Sequence, residues 1–480
     1  MPPGFGGAHG GPDVTETTLC HSLRPLAVLL AVLCLTASAA GQTAPDVDRF
    51  GGLREPNFGP GKFFRTHHDG ERWWLVTPDG GAFLSMGVCV VNPVGDAERG
   101  TDRHPYGENV LARHGSVEKW TESTLARFRE WGVNTLGNWS GRELRGALPH
   151  TVELGVGAGL WGPGRVPDFF SPETAAHIRE RASAVDEHKD DPWLIGYYLD
   201  NELPWARDWR GFPDLFDGYL MMPASAPGKQ RLVDFLRERH GTPERISAVW
   251  AEKITDWAAL AETTKLTPLN TARAREDVEA FTLLAAREYF KTAAEALRAK
   301  DPDHLLLGCR FVWALAPRPV AKACGEFCDV VTVNYYELGP VGKGWLWLTD
   351  PGAMRPVRAL ELRSFHEWTG KPLMVTEFGF RGMDSGLPNS FPPGWLLQPT
   401  VPTQKDRADK FEQCVTAWLS QPYFVGCHWF QHMDEPKAGR FDGENGNYGV
   451  VDIHDEPHAP LVERFTAVNR RVWDLHKAAK

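Results

Sequence analysis

Trp193-Leu194-Ile195-Gly196-Tyr197-Tyr198-Leu199-Asp200-Asn201-Glu202 is an apolar run that ends abruptly in three polar residues. A short apolar run bounded in this way reads as a buried strand. Working outward, residues 83–88, 133–139, 151–156, 304–311, 329–335, 373–378 and 424–430 read the same way, which with 193–199 makes eight strands. The segments between them carry helix marks. Ser171-Pro172-Glu173 supplies a cap followed by proline at the first helical position. Over 277–300 the apolar residues Val278, Phe281, Leu284, Ala285, Tyr289, Ala293, Ala296 and Leu297 follow the helical period, and Asp301-Pro302-Asp303 stops it. A further helix is expected over 404–420. Strands alternating with helices predict an α/β fold, a (β/α)8 TIM barrel, whose length beyond roughly 250 residues must sit in insertions. The largest insertion follows strand four, from 203 to about 275, and is expected to be helical around 230–239 and 244–250.

Ahead of the barrel, Phe63-Phe64-Arg65-Thr66 and Arg72-Trp73-Trp74-Leu75-Val76 flank Asp69-Gly70, a hairpin signal. The expected organisation is a leader over 1–40, a β-hairpin extension over 41–81 and a catalytic barrel over 82–480. The leader reading rests on Arg24, the apolar run 25–35 and the small residues Thr36-Ala37-Ser38-Ala39-Ala40-Gly41, the parts of a secretory signal. It predicts a secreted or periplasmic protein. The run is too short for a stable membrane anchor.

In a barrel of this kind active residues come from the C-terminal ends of the strands. Strand four ends in Asn201-Glu202, and strand seven ends in Thr376-Glu377-Phe378-Gly379. Two glutamates thus face each other across one mouth. Hydrolysis of a glycosidic bond with retention needs such a pair, an acid for the leaving oxygen and a carboxylate roughly 5 to 5.5 Å away for the anomeric carbon. Carboxyls that close push their pKa values apart, so one remains an acid while the other attacks.

With that pair in place, the chain resembles the retaining glycoside hydrolases of clan A, and within them most resembles glycoside hydrolase family 50, the β-agarases. The resemblance rests on Trp73-Trp74-Leu75-Val76-Thr77-Pro78-Asp79-Gly80, Ile195 through Glu202, Leu307-Gly308-Cys309-Arg310-Phe311 and Asp329 through Tyr336. It continues through Lys371 to Gly379, His428-Trp429-Phe430-Gln431 and Gly439 to Asn445. It implies Glu202 as general acid/base, Glu377 as nucleophile, Asn201 as a ligand of the sugar 2-hydroxyl, and Tyr335 or Tyr336 near the nucleophile. The loop Phe380-Arg381-Gly382-Met383-Asp384 after the nucleophile departs from the agarase pattern, and only about 40 mature residues precede the first barrel strand.

Other strand-end residues are candidate sugar contacts: Asn138 and Trp139 at strand two, Arg310 at strand five, Asn334 at strand six, and His428, Trp429 and Gln431 at strand eight. Trp429 stands where clan A enzymes place a sugar platform. Asp434 and Glu444 belong to an acidic stretch with Asp442 and Asn445 that offers hydroxyl contacts, but its spacing does not match a calcium loop. Trp205 and Trp209 follow the acid/base on the insertion and offer either distal sugar contacts or packing.

The formal charge is 52 − 62 = −10 and no basic run occurs, which excludes the electrostatic footprint of a nucleic-acid binder. The 19 tryptophans tilt toward sugar stacking, although Trp is also a large core residue. Gly157-Ala158-Gly159-Leu160-Trp161-Gly162 satisfies a dinucleotide fingerprint, but Pro163, Gly164 and Pro167 follow where that fold needs a helix. His428 and His432 lack the helix that would make their spacing metal-binding, and Cys324 and Cys328 form no zinc pair. The mature cysteines read as buried thiols, with one disulfide left open. The expectation is therefore a glycosidase with no metal and no cofactor, acting on a poly- or oligosaccharide of galactose type, with no membrane insertion. β-Galactosidase, β-glucan hydrolase and a non-catalytic carbohydrate-binding barrel remain the alternatives.

Overall fold

The computed structural model describes residues 45–208, 210–336, 345–346, 357–358, 362–391 and 400–479. The leader expected over 1–40, and Trp209, lie outside these residues. The described chain opens with β1 (Leu53–Asn57), β2 (Arg65–His68), β3 (Trp73–Val76) and β4 (Gly81–Phe83), an antiparallel sheet in the order β1-β4-β3-β2. Asp69 and Gly70 turn the chain between β2 and β3, with Arg65 opposite Val76 and His68 opposite Trp73. Strand β1 pairs with β4, so the extension is larger than a hairpin. The sequence between them shows no alternation that would announce this pairing.

Then follow β5 (Ser85–Val88), α1 (Pro105–His114), α2 (Val117–Trp131), β6 (Thr135–Leu136), β7 (His150–Glu153), α3 (Pro172–Arg181) and β8 (Leu194–Tyr198). The helical insertion holds α4 (Leu215–Met221), α5 (Pro227–His240), α6 (Pro243–Ser247) and α7 (Trp257–Glu262). The long helix α8 (Thr271–Arg298) starts earlier than its apolar period, because the Asn270 side chain accepts the Arg273 amide and caps it. Next come β9 (Leu305–Leu306), β10 (Phe311–Val312), α9 (Arg318–Phe327) and β11 (Val331–Asn334). A small antiparallel pair, β12 (Trp345–Leu346) and β13 (Val357–Arg358), precedes α10 (Arg363–Thr369) and β14 (Leu373–Phe378). The chain ends with β15 (Arg381–Gly382), β16 (Thr400–Val401), α11 (Gln404–Leu419), β17 (Phe424–Trp429), α12 (Ala459–Asn469) and α13 (Val472–Lys477).

Nine of these strands form one curled parallel sheet in the order β10-β11-β14-β17-β5-β6-β7-β8-β9. Its two end strands, β9 and β10, are consecutive pieces of a single segment. Between them Gly308 and Arg310 adopt φ of 75° and 45°, which breaks the regular strand. The segment still bonds both ways: Leu307 N donates to Tyr197 O at 2.8 Å, and Asp329 N donates to Leu306 O at 2.9 Å. Strand two is shorter than expected, Thr135–Leu136, and Trp139 at φ 60° turns the chain three residues beyond it.

Two cores result. The larger lies between the sheet and its helices and includes Trp429, Phe411 and Phe465. The smaller lies inside the curl, where Ile195, Tyr198, Leu305, Leu307, Met374 and Val425 meet Phe50, Phe64, Leu75 and Phe83 of the N-terminal sheet. That sheet therefore packs on the inner core at the N-terminal ends of the strands, opposite the ends that carry Glu202 and Glu377. Cys89, Cys309, Cys324, Cys328, Cys414 and Cys427 are all free thiols. No helix among the described residues is long and apolar enough to cross a membrane.

Candidate active site

Strand β8 is buried along its whole length, and its end is fixed from three sides. Leu199 N donates to Gly308 O at 2.8 Å, and Val156 N donates to Leu199 O at 2.9 Å. The next residue, Asp200, is buried and accepts from Gly157 N at 2.8 Å and from the Tyr289 hydroxyl of α8. Burial pushes the Asp200 carboxyl up to about 7. The chain then turns, and Glu202 takes a left-handed φ of 50°, uncommon for a residue with a side chain. Its carbonyl accepts from Arg210 Nη1 at 2.9 Å.

The turn delivers Asn201 and Glu202 to the ends of β9–β10 and β11. Asn201 Oδ1 accepts from Arg310 Nη1 at 3.0 Å and from Asn334 Nδ2 at 3.1 Å. The same Asn334 amide donates to Glu202 Oε1 at 3.0 Å, and Asn334 Oδ1 is held by the Thr376 hydroxyl at 3.0 Å. Glu377 stands 5% exposed near the end of β14. Its Oε2 accepts from the Tyr336 hydroxyl at 2.7 Å, and its Oε1 lies 2.7 Å from Arg310 Nη2. Burial, and then the charge of Glu377, raises the Glu202 carboxyl to about 7. Arg310 is fully buried; although burial opposes its charge, Glu377 holds it above the usual arginine range. Two carboxyl groups in different environments, bridged by Arg310 and Asn334, can divide the roles of acid and nucleophile.

Of the residues expected from sequence, Asn201, Glu202, Arg310, Asn334, Tyr336 and Glu377 come together. Trp139 and Asn138 lie beside them. Trp139 is 45% exposed, with Arg310 4.5 Å under its ring, while Asn138 is buried and donates to Glu153 Oε2 at 2.5 Å. Tyr335 turns away to Trp313 and Trp418, at ring distances of 5.0 and 5.3 Å. Trp429 is 1% exposed and packs on Phe378, Phe411 and Phe465 toward the helices, so it offers no open face. His428 is buried inside the curl, 2.9 Å from the Ser85 hydroxyl, and burial pulls its pKa down to about 3. The Gln431 side chain is buried without a hydrogen-bond partner among the described residues.

Asp434 is part of a separate knot, accepting from Asn447 Nδ2 at 2.8 Å and Gly449 N at 2.8 Å and meeting His458 Nε2 at 2.9 Å. Glu444 pairs with Arg440 at 2.6 Å, and its burial raises its pKa. Trp205 stacks on Phe290 with ring centroids 5.8 Å apart, a packing role. Sequence reasoning missed Asp200, Glu153 and Glu435. Asp200 was in plain view beside Asn201, but its partner Tyr289 is 89 residues away. Glu435 accepts from Gly446 N at 2.6 Å and faces Arg440, an arrangement made only by the return of the loop. Among the described residues no group of three or more His, Cys, Asp or Glu is placed to hold a metal ion.

No family model matches the chain. Beta-agarase B of Vibrio sp. (strain JT0107) is 28% identical over 398 residues, covering 77% of this chain and 38% of that protein. The chain thus matches well under half of that relative's length. A solved structure described as PfGH50B superposes with a TM-score of 0.75 at 25% identity, covering 96% of this chain and 73% of that one. The agarase AgWH50C superposes equally well, with a TM-score of 0.75 at 25% identity, over 97% of this chain and 72% of that one. In sequence and in fold the chain is similar to agarases.

Proposed function

We propose that this chain is a retaining β-glycoside hydrolase that cleaves β-galactosidic bonds of an agarose-type polysaccharide or its oligosaccharides. We read its curled parallel sheet as a (β/α)8 barrel, closed through the segment that contributes both β9 and β10. The observation that carries the reading is the bridged carboxyl pair: Asn334 donates to Glu202 while Arg310 and Tyr336 hold Glu377. Similarity to beta-agarase B and AgWH50C supports the galactan substrate.

In the first step Glu377 attacks the anomeric carbon as the bond to the leaving oxygen breaks, and Glu202 gives that oxygen its proton. A carboxyl raised to about 7 is about half protonated at neutral pH, where an unperturbed glutamate would be almost wholly ionised, which suits the acid role. Once Glu377 is esterified, its charge no longer raises Glu202. Glu202 then releases its proton more readily and can serve as base for the water that opens the glycosyl-enzyme. With Asn201 Oδ1 engaged by Arg310 and Asn334, its amide donors remain for the sugar 2-hydroxyl. The reaction uses two carboxyls and one water, and asks for neither metal nor nucleotide. The leader over 1–40 is read as an export signal that brings the enzyme to an external polysaccharide.

The test separates the two glutamates by leaving group. Glu377→Ala should abolish turnover of every substrate. Glu202→Ala should cripple polysaccharide cleavage, spare much of the glycosylation step with an activated aryl β-galactoside, and yield a β-glycosyl azide when azide is added. Equal loss on both substrate types without azide rescue would overturn the assignment of Glu202. Absence of any turnover by the unaltered chain would instead favour a carbohydrate-binding barrel.

A further inference from the structure

A cavity of about 300 Å³ opens where strands β6 and β7 end, and Asn138, Trp139, Arg145, Glu153 and Arg181 are among the residues that line it. Its lining is linked to the site by contacts: Asn138 bonds Glu153, Glu153 lies 3.9 Å from Arg310, and Arg310 sits under the ring of Trp139. Trp139 supplies an exposed aromatic face, a surface on which a sugar ring can lie.

The charge of this cavity is unbalanced. Its one carboxylate, Glu153, is already engaged by Asn138 and faces Arg310. Arg181 is exposed; among the described residues its guanidinium donates to the backbone carbonyls of Gly155 at 3.1 Å and Leu154 at 3.2 Å, and the charge of Asp200 acts on it at longer range. Arg145 is half-buried, and Asp191 and Glu143 act on it only at longer range. Among the described residues no carboxylate oxygen lies within 4.0 Å of either guanidinium. Elsewhere in the chain partly buried arginines are paired, Arg127 with Asp455 at 2.8 Å and Arg298 with Asp329 at 2.5 Å being examples. In a chain of net charge −10, two unpaired cations in one cleft are a local feature, not a general attraction for anions.

We propose that this cavity is a subsite for an anionic sugar unit, one bearing a sulfate ester or a carboxylate, with Trp139 under the ring and Arg145 and Arg181 on the charge. Guanidinium groups match the planar or tetrahedral oxyanions of both substituents through paired N–H donors. The inference rests on the galactan reading and narrows it: the preferred chain carries negative charge one or more units from the bond that is cut.

The test has a binding arm and a turnover arm, both on the full chain. Galactose 6-sulfate, galacturonate and galactose are titrated against the protein by saturation-transfer NMR, and neutral, sulfated and uronate-bearing galactan oligosaccharides are compared by kcat/KM. One of the charged forms should bind and turn over better than the neutral one, and which of the two does so identifies the substituent. Arg145→Gln should lower the charged-to-neutral ratio by about tenfold, as expected for loss of a charge-assisted hydrogen bond. Arg145→Lys, which keeps the charge but loses the paired donors, should fall between the unaltered chain and Arg145→Gln, and added salt should reduce the ratio. A ratio near one in the unaltered chain, or one that Arg145→Gln leaves in place, would overturn the subsite. Failure to cleave any galactan, with charge-selective binding intact, would overturn the galactan reading and not the subsite.

Discussion

Glu202 occupies a left-handed turn, is buried, and has its carboxyl raised to about 7 by burial and by Glu377. Its ordinary value is 4.5, so the folded state disfavours the ionised form that the unfolded chain adopts freely above that pH. The resulting cost is absent below about pH 4.5, grows through the interval and is complete above about pH 7. Glu202→Gln should therefore raise the Tm at pH 8 by an amount that corresponds to roughly 3 kcal/mol, and the gain should vanish near pH 4. A gain that does not vary with pH would contradict the raised carboxyl. At this scale the sequence was readable where chemistry is written locally. Asn201-Glu202 and Thr376-Glu377 end apolar runs, and Arg310, Asn334 and Tyr336 also lie at strand ends. It was unreadable where side-chain direction decides. Tyr335 and Tyr336 are neighbours, yet it is the Tyr336 side chain that reaches the Glu377 carboxyl while the Tyr335 ring packs on Trp313 and Trp418, because adjacent residues of an extended chain point to opposite sides. The same alternation turns Trp429 to the helices and His428 to the interior.

Strand β8 and helix α8 are joined at Asp200 by the Tyr289 hydroxyl, a tie between the turn that carries Glu202 and the outer layer. Tyr289 touches neither carboxyl of the pair; it is a positioning residue for the turn that ends in Glu202. Tyr289→Phe leaves the buried Asp200 with only the Gly157 amide. The expected outcome is a loss in kcat of about tenfold with KM little changed, because the acid is displaced in the transition state while sugar contacts persist. An equal effect on both constants, or none, would contradict the positioning role. The elements themselves were largely legible. Strand β14 spans 373–378 as the apolar run suggested, and α11 begins at Gln404, where Thr403 and Asp406 form a capping box. The strand expected over 304–311 divides into β9 and β10 where Gly308 and Arg310 adopt positive φ.

At the scale of the molecule, the N-terminal sheet packs on the inner core of the curl. Phe64 of this region meets Phe50 at 5.7 Å and Phe83 at 5.3 Å, in a cluster shared with Ile195, Leu305, Met374 and Val425. The sheet is thus part of the folding unit, and Phe64→Ala should destabilise the chain by about 3 kcal/mol in urea unfolding. A loss near zero would mean that the sheet is dispensable. Its hairpin was legible from Asp69-Gly70, whereas the β1–β4 pairing was not, because it joins Leu53 to Ala82 across the whole hairpin. The central claim, that Glu377 attacks the sugar directly and Glu202 serves as acid and then as base, has a stereochemical consequence for the whole reaction. Two displacements at one carbon leave its configuration unchanged, whereas direct attack by water would invert it. Proton NMR of a galactan oligosaccharide in the first minutes of hydrolysis, before mutarotation, reads the outcome. The account predicts that the β-anomer appears first, and an α-anomer appearing first would contradict it.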